Sequence, residues 1–525
     1  MNRLINCFSR NLVKVFLLLW TIITLVACEK ERQSQLLEVS TLRKISVNEF
    51  PSTDMYELQY KQELTEDVVC PIVARIAVMY ELYNGGYNLL CDLRNGTNNE
   101  THVTIDDIES IEWNLTDLPR AIYDYDGTIR YYEFGLVEDG EIAATITAYA
   151  RREAPGAIAY MFPYLLPYNN VDCDYYVGQY PHRVFYDGAN FCYVSNPEIM
   201  YNSEENNNDE YWLQIYERAS VEQQEELDIL RNNMTLQDEE YTEKSTLFWS
   251  SVDDVILTTS YRLDIEDPCV MSVSPVIVNE YIKSLKDYLG TNEYCRDYTA
   301  RPYCGTSLQQ TFWEGACGPS ALAWVYRGLR TTYPLNNGVY LPLRGEAVSN
   351  LSNYNFYSNA MSYDSNPAGV DTLDGICFVE AKSRYIERSY EIDNGLTAIF
   401  YNLSIPIKTK GVWQFMLLPS LLNNAFRDAT EDVFGVSADK DALYTADWIL
   451  NYNLPTLILV RDLSHYLVAY GFGGTTNEWG GEIERENLYF LVTDNSHETG
   501  NYNYKPFWRR YQKLEYYHCV EWINI

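Results

Sequence analysis

Histidine is scarce in this chain, with five in 525 residues, and no two of its cysteines stand as a Cys-x-x-Cys pair. Zinc sites draw on closely spaced Cys and His, so no metal and no cofactor is expected. Positive charge is also short: 39 Lys and Arg face 74 Asp and Glu, a formal net charge of −35. Such a surface repels phosphate backbones and anionic lipid, which argues against nucleic acid as a partner and against binding to a membrane by charge. Beyond the first 28 residues no second apolar stretch of about 18 residues occurs, so the remainder is expected to be exported and soluble. There is no internal repeat and no long low-complexity tract.

Apolar residues make up 46% of the chain, enough for a sizeable core and unlike a disordered protein. Tyrosine is over-used, at 47 residues, which fits β-rich structure better than a helical bundle. The length suggests about three domains or two large ones.

The first residues have the pattern of a targeting segment. Arg3, Arg10 and Lys14 are basic, Val15 to Ala27 is apolar, and the stretch ends in Leu25, Val26, Ala27 and Cys28. This resembles the lipobox of bacterial lipoproteins. The resemblance implies that Cys28 carries lipid, palmitate included, that it is the first mature residue, and that the protein is anchored in the bacterial cell envelope. Glu29 to Gln35 then forms a polar tether.

Export changes how twelve cysteines are read. Cys7 falls in the signal and Cys28 would carry lipid, which leaves ten. Removing one nucleophile leaves nine, so at least one more stays unpaired or pairs between chains. Cys70 with Cys91, Cys173 with Cys192, and Cys295 with Cys304 are the short-range candidates, and sequence does not fix the pairing.

Along the chain, 1–28 is expected to be signal peptide, 29–49 tether, 50–200 a β-rich domain, 201–290 a helical and linker region, and 291–525 a second domain. Ile129 to Leu136, Ile142 to Ala150 and Ala157 to Phe162 have strand patterns, with a hairpin turn at Glu138, Asp139 and Gly140. Cys70 to Tyr83 is apolar and suits strand or helix equally. Asn202 to Asp209 is a polar linker, and Glu210 to Asn233 and Val278 to Leu289 are expected helices. In the last part, helices are expected after Cys317, near Gln414 to Phe426 and near Lys440 to Asn451. Strands follow at Thr456 to Arg461, His465 to Phe472 and Leu488 to Thr493. Helices first and strands last make an α+β pattern.

The chemistry concentrates around Cys317. Ala321, Leu322, Val325 and Leu329 follow it at helical spacing, and Pro319 suits a first helical turn. A helix N-terminus favours thiolate over thiol, and thiolate is the nucleophile that peptide cleavage needs. A base must accept the thiol proton and later protonate the leaving amine. His465 opens a strand 148 residues after Cys317, and Asp494 or Asn495, at the end of the next strand, would orient its imidazole. The papain-type arrangement places its His and Asn about 130–150 residues after the Cys. His497 sits in a loop, His518 lies beside Cys519 and has a structural pattern, and His102 and His182 belong to the other half.

Ala316, Cys317, Gly318 and Pro319, then Ser464, His465 and Tyr466, then a strand ending in Asp494, resemble the papain-like cysteine peptidase superfamily. Within it the pattern is most similar to the peptidases that remove double-glycine leaders from bacteriocins. The resemblance spans roughly residues 290 to 525. It implies a papain-like domain in which a helix bears Cys317 and an antiparallel sheet bears His465, with Asp494 as orienting acid. The family's oxyanion Gln stands six residues before the Cys. Here position 311 is Thr, and Gln310 stands seven before, so Gln310 takes that role with the Cys317 backbone N–H as second donor. The implied substrate is a protein or peptide. Upstream, the run from Arg130 to Ala143 faintly resembles the β-rich propeptide of streptopain-type peptidases, which would make that region a prodomain or a substrate-recruiting module. Two rival expectations stand beside this one. One is a non-catalytic surface-binding lipoprotein with a papain-like fold. The other is a cell-wall hydrolase, whose Asp-Cys-Ser-Gly-Phe motif is absent.

Overall fold

A computed structural model describes residues 44–58, 68–95, 101–105, 112–168, 173–177, 182–194, 200–201, 239–269, 273–300, 434–460, 466–494, 506–513 and 515–523, together with isolated positions within 221–232 and Ala321, Val325, Asn423 and Arg427. All structural statements refer to these residues. Their architecture is mixed α+β, built on one large sheet. The strands in chain order are β1 (Ile45–Ser46), β2 (Thr101–Thr104), β3 (Trp113–Leu115), β4 (Arg120–Tyr123), β5 (Ile129–Glu138), β6 (Glu141–Tyr149), β7 (Ile158–Phe162), β8 (Tyr175–Val177) and β9 (Arg183–Tyr186). They continue with β10 (Phe191–Tyr193), β11 (Met200–Tyr201), β12 (Tyr294–Thr299), β13 (Phe434–Val436), β14 (Thr456–Leu459), β15 (Tyr466–Thr476), β16 (Tyr489–Asp494), β17 (Phe507–Arg510) and β18 (Tyr516–Trp522). The principal helices are α1 (Pro71–Glu81), α2 (Tyr87–Asn95), α3 (Glu239–Arg262), α4 (Pro275–Leu289) and α5 (Ala442–Tyr452).

Strand β15 organises the sheet. Its first residues pair with β14, from Leu459↔Tyr466 to Thr456↔Ala469, and its later ones with β12, from Thr299↔Gly471 to Tyr294↔Thr476. Its other edge carries β16, which passes the sheet on to β17, β7, β6 and β5. On the far side of β12 lies β2, through Cys295↔Val103. Strands from before and after residue 290 therefore share one hydrogen-bonded network. Among the described residues the strand pairings are antiparallel except that of β4 with β8.

The β5–β6 hairpin follows from its turn. Asp139 (φ +52°) and Gly140 (φ +80°) both take the left-handed region, as a two-residue turn that matches strand twist requires. Helix α1 starts at Pro71, where the missing N–H costs nothing, and every residue from Pro71 to Tyr80 is buried. That all-round burial explains why the Cys70 to Tyr83 run carries no helical stripe. Helix α5 is closed at both ends: Asp441 accepts a hydrogen bond from the Leu443 N–H at 2.8 Å, and Asn453 stops the helix in the left-handed conformation.

Helices cover both faces of the sheet. Ile76, Trp249, Tyr281 and Leu285 from α1, α3 and α4 pack with Tyr470, Leu491 and Trp508. Ala442, Ala446 and Ile449 of α5 pack with Leu467, Ala469, Phe490 and Val492 on the other face. Cys70, at the start of α1, is disulfide-bonded to Cys269, after α3. The expected Cys70–Cys91 pair is thus corrected, and Cys91 is a free thiol. Cys192 is also free and donates to Asp187 Oδ2 at 3.6 Å, so its expected link to Cys173 is not formed. Short spacing was the wrong guide, since a disulfide needs Cα atoms within reach and not nearness in sequence. Cys304, the expected partner of Cys295, lies outside the described residues.

Candidate functional site

The motif residues fall on both sides of the described boundary. Cys28, Gln310, Cys317, His465 and Asn495 lie outside the described residues. Asp494 is described as the last residue of β16, with its backbone opposite Leu467. Strand β15 begins at Tyr466, the residue after His465 in the chain. In an antiparallel pair the start of one strand meets the end of the other. Asp494 and the first residues of β15 therefore share one end of the sheet. His465 precedes Leu467 by two positions in the sequence, a separation that an extended chain spans in about 7 Å.

Two residues downstream of Cys317 are also described. Ala321 and Val325 are helical and fully buried, four residues apart and thus on one helical face. Upstream, β12 leaves the sheet at Ala300, whose N–H donates to Tyr470 O at 2.8 Å in the middle of β15. Ala300, seventeen residues before Cys317 in the sequence, thus lies beside the strand that follows His465 in the chain.

Cys91, Cys192, Cys295 and Cys519 are poor nucleophiles. Burial pushes the thiols of Cys91, Cys192 and Cys295 up, and that of Cys519 up to about 11. A thiol in that range is protonated at neutral pH and unreactive. Cys70 and Cys269 are tied to each other. His518 is buried on β18, with Nδ1 3.0 Å from Ser437 O, and burial pushes it down to about 4, so it stays neutral. This is the structural role its position beside Cys519 suggested. His182 is buried edge-on to the Tyr193 ring, and the His102 ring lies 5.4 Å from that of Trp479.

A cavity of about 570 Å³ opens elsewhere, between α1, α3 and the β15–β17 part of the sheet. No motif in the sequence points to it directly. Its floor is an ion pair of Arg510 with Glu81, at 2.6 Å. The Glu81 carboxylate also accepts the backbone N–H groups of Ala157 and Ile158, at 2.6 and 3.0 Å, and the Tyr489 hydroxyl at 3.3 Å. The Arg510 guanidinium donates to Ile158 O at 2.7 Å as well. These charges are satisfied within the protein, and neither Cys nor His lines the cavity. Tyr489 begins β16, so the cavity and Asp494 are separated by the length of that strand, about 17 Å at 3.4 Å per residue. The one available signal was the adjacent pair Arg509 and Arg510 following the aromatic pair Phe507 and Trp508.

Among the described residues no group of three His, Cys, Asp or Glu is placed to hold a metal ion, and no helix is long and apolar enough to cross a membrane. No family model, curated protein or solved structure matches this chain.

Proposed function

We propose that the protein is an exported, lipid-anchored cysteine peptidase of the bacterial cell envelope, whose 291–525 region adopts a papain-like fold. The observation that carries this reading is the pairing of Asp494 with Leu467, because it sets the end of β16 at the end of the sheet where β15 begins. The buried helical positions Ala321 and Val325 support a helix running on from Cys317. The disulfide supports an oxidising compartment, as export requires.

In this mechanism the Cys317 thiolate attacks the scissile carbonyl carbon. Gln310 and the Cys317 N–H receive the negative charge that gathers on oxygen. His465, held by Asp494 with Asn495 as the alternative orienter, gives its proton to the leaving amine as the C–N bond breaks. It then takes a proton from water, which attacks the acyl-enzyme and releases the second product with the thiolate restored. No metal or cofactor enters these steps. Cys28 carries the lipid anchor, and a protein or peptide is the substrate.

The test is hydrolysis of a peptide library by the purified protein and by Cys317→Ala. Loss of hydrolysis in the variant is expected, and equal hydrolysis by both removes the peptidase reading. The one-residue offset of Gln310 favours a second reading, a surface-binding lipoprotein that keeps the fold without catalysis. An alkylating reagent separates the two, because an activated Cys317 labels rapidly below pH 7 and an inert thiol does not.

A further inference from the structure

The boundary expected at residue 290 cuts through bonded structure. Strand β12, just after it, pairs with β2 from before it, from Tyr294↔Thr104 to Asp297↔Thr101. Strand β17 pairs with β7 through Trp508↔Met161 and Arg509↔Tyr160. Side chains repeat the link. Trp508 Nε1 donates to Leu89 O at 2.9 Å, and Arg509 Nη1 to the Tyr160 hydroxyl at 2.6 Å. Arg510 Nε donates to Ile158 O at 2.7 Å, and Gln512 Nε2 to the Tyr149 hydroxyl at 2.7 Å. Every donor of these four bonds lies after residue 290 and every acceptor before it.

A segment that is released on maturation leaves behind a domain complete without it. Each side then keeps its own core, and the surfaces between them resemble those of separate proteins. The contact across residue 290 is of another kind. Without the residues before 290, β12 and β17 would each become an edge with a row of unpaired N–H and C=O groups. Trp508, Leu491 and Tyr470 would lose the α1, α3 and α4 side chains that share their core and would face water. Arg510, buried, would lose Glu81 as its counter-ion. The Cys70–Cys269 disulfide lies wholly before residue 290, so among the described residues hydrogen bonds, ion pairs and packing alone join the two parts.

We propose that the part before residue 290 is a permanent component of the domain that carries Asp494, kept in the working protein, and that the two parts unfold as one cooperative unit. The run from Arg130 to Ala143, for all its faint likeness to a propeptide, is then no removable prodomain. Control of the 291–525 region does not come from cutting this part away. The proposal concerns how the chain is assembled and stands whether or not Cys317 is catalytic.

The test is hydrogen exchange of the purified full chain at rising urea, read by mass spectrometry. The slowest amides of β6 and β7, before residue 290, and of β14 and β15, after it, are expected to lose protection over the same urea range, since both sets exchange through unfolding of the whole. Glu81→Ala, a change before residue 290, is expected to move both sets to lower urea by the same shift. Where that variant does not fold, Tyr160→Phe is the milder change across the same boundary. Separate urea ranges for the two sets, or a shift confined to the set before residue 290, overturn the proposal. A second measurement nicks the native protein briefly with trypsin and passes it through gel filtration without denaturant. Fragments from before residue 290 and from 434–523 are expected to elute together. A folded fragment from after residue 290 that elutes alone overturns the proposal.

Discussion

Glu81 at the end of α1 and Arg510 at the end of β17 lie 429 residues apart in sequence and 2.6 Å apart in space. Both are largely buried. Removing one partner leaves the other charged and desolvated, which costs about 3–5 kcal/mol. Glu81→Ala is therefore expected to lower unfolding stability by about that amount. The double variant Glu81→Ala, Arg510→Met is expected to recover part of the loss, since no buried charge is left alone. Urea denaturation of the three proteins checks this.

The Cys70–Cys269 disulfide closes a segment of 199 residues. Constraint of the unfolded chain grows with the logarithm of loop length, and such a loop contributes about 5 kcal/mol. The double variant Cys70→Ala, Cys269→Ala is expected to melt at markedly lower temperature. Dithiothreitol is expected to lower the melting point of the natural protein and to leave that of the variant unchanged.

His518 gives a pH dependence whose sign is fixed. Its folded value is about 4 and its ordinary value 6.5. Between those values the unfolded chain binds a proton that the folded one refuses. Stability from this group is thus complete above about pH 6.5 and is lost as pH falls toward 4, by about 3 kcal/mol. The urea midpoint is expected to fall between pH 7 and pH 4.5, and His518→Asn, which can still donate to Ser437 O, is expected to show a smaller fall. Equal falls in both proteins would remove the assignment to this histidine.

For the proposed chemistry, His465→Ala is expected to lower kcat/KM by about 10²–10⁴-fold, the usual contribution of a positioned acid–base group. Cys519→Ala is expected to leave peptide hydrolysis unchanged, because the Cys519 thiol is buried and protonated. Steady-state kinetics on a single cleaved peptide measures both.

Local chemistry was legible in the sequence where it was self-contained. The Asp139–Gly140 turn announced its hairpin, and the apolar strands flanking it lie within a residue or two of their expected bounds. Helices α4 and α5 likewise lie close to the expected Val278 to Leu289 and Lys440 to Asn451. Strand β15 was expected to end at Phe472, and glycines follow. They continue the strand instead, since a Cβ on Gly474 would lie 2.4 Å from Asn487 O and one on Gly473 2.7 Å from the Leu89 side chain. Glycine there marks close packing and not a turn. Helix α3 was not anticipated, as Ser and Thr are spread along it and its apolar stripe is weak. Partners distant in sequence, such as β2 with β12, Cys70 with Cys269 and Glu81 with Arg510, leave no local trace. Of the candidate site, the strand ends bearing Asp494 and following His465 were legible, because alternation of apolar residues bounds a strand well.

Arg509 and Arg510 are neighbours in one strand and look to opposite sides of the sheet, one to Glu515 and the other to Glu81. Sliding that strand by one position would carry one arginine into the other's place and leave the second arginine and one glutamate without counter-ions. The adjacent pair therefore acts as a key with a single orientation, which makes the alignment of this strand with β16 and β7 unique where hydrophobic pattern alone would tolerate a slip.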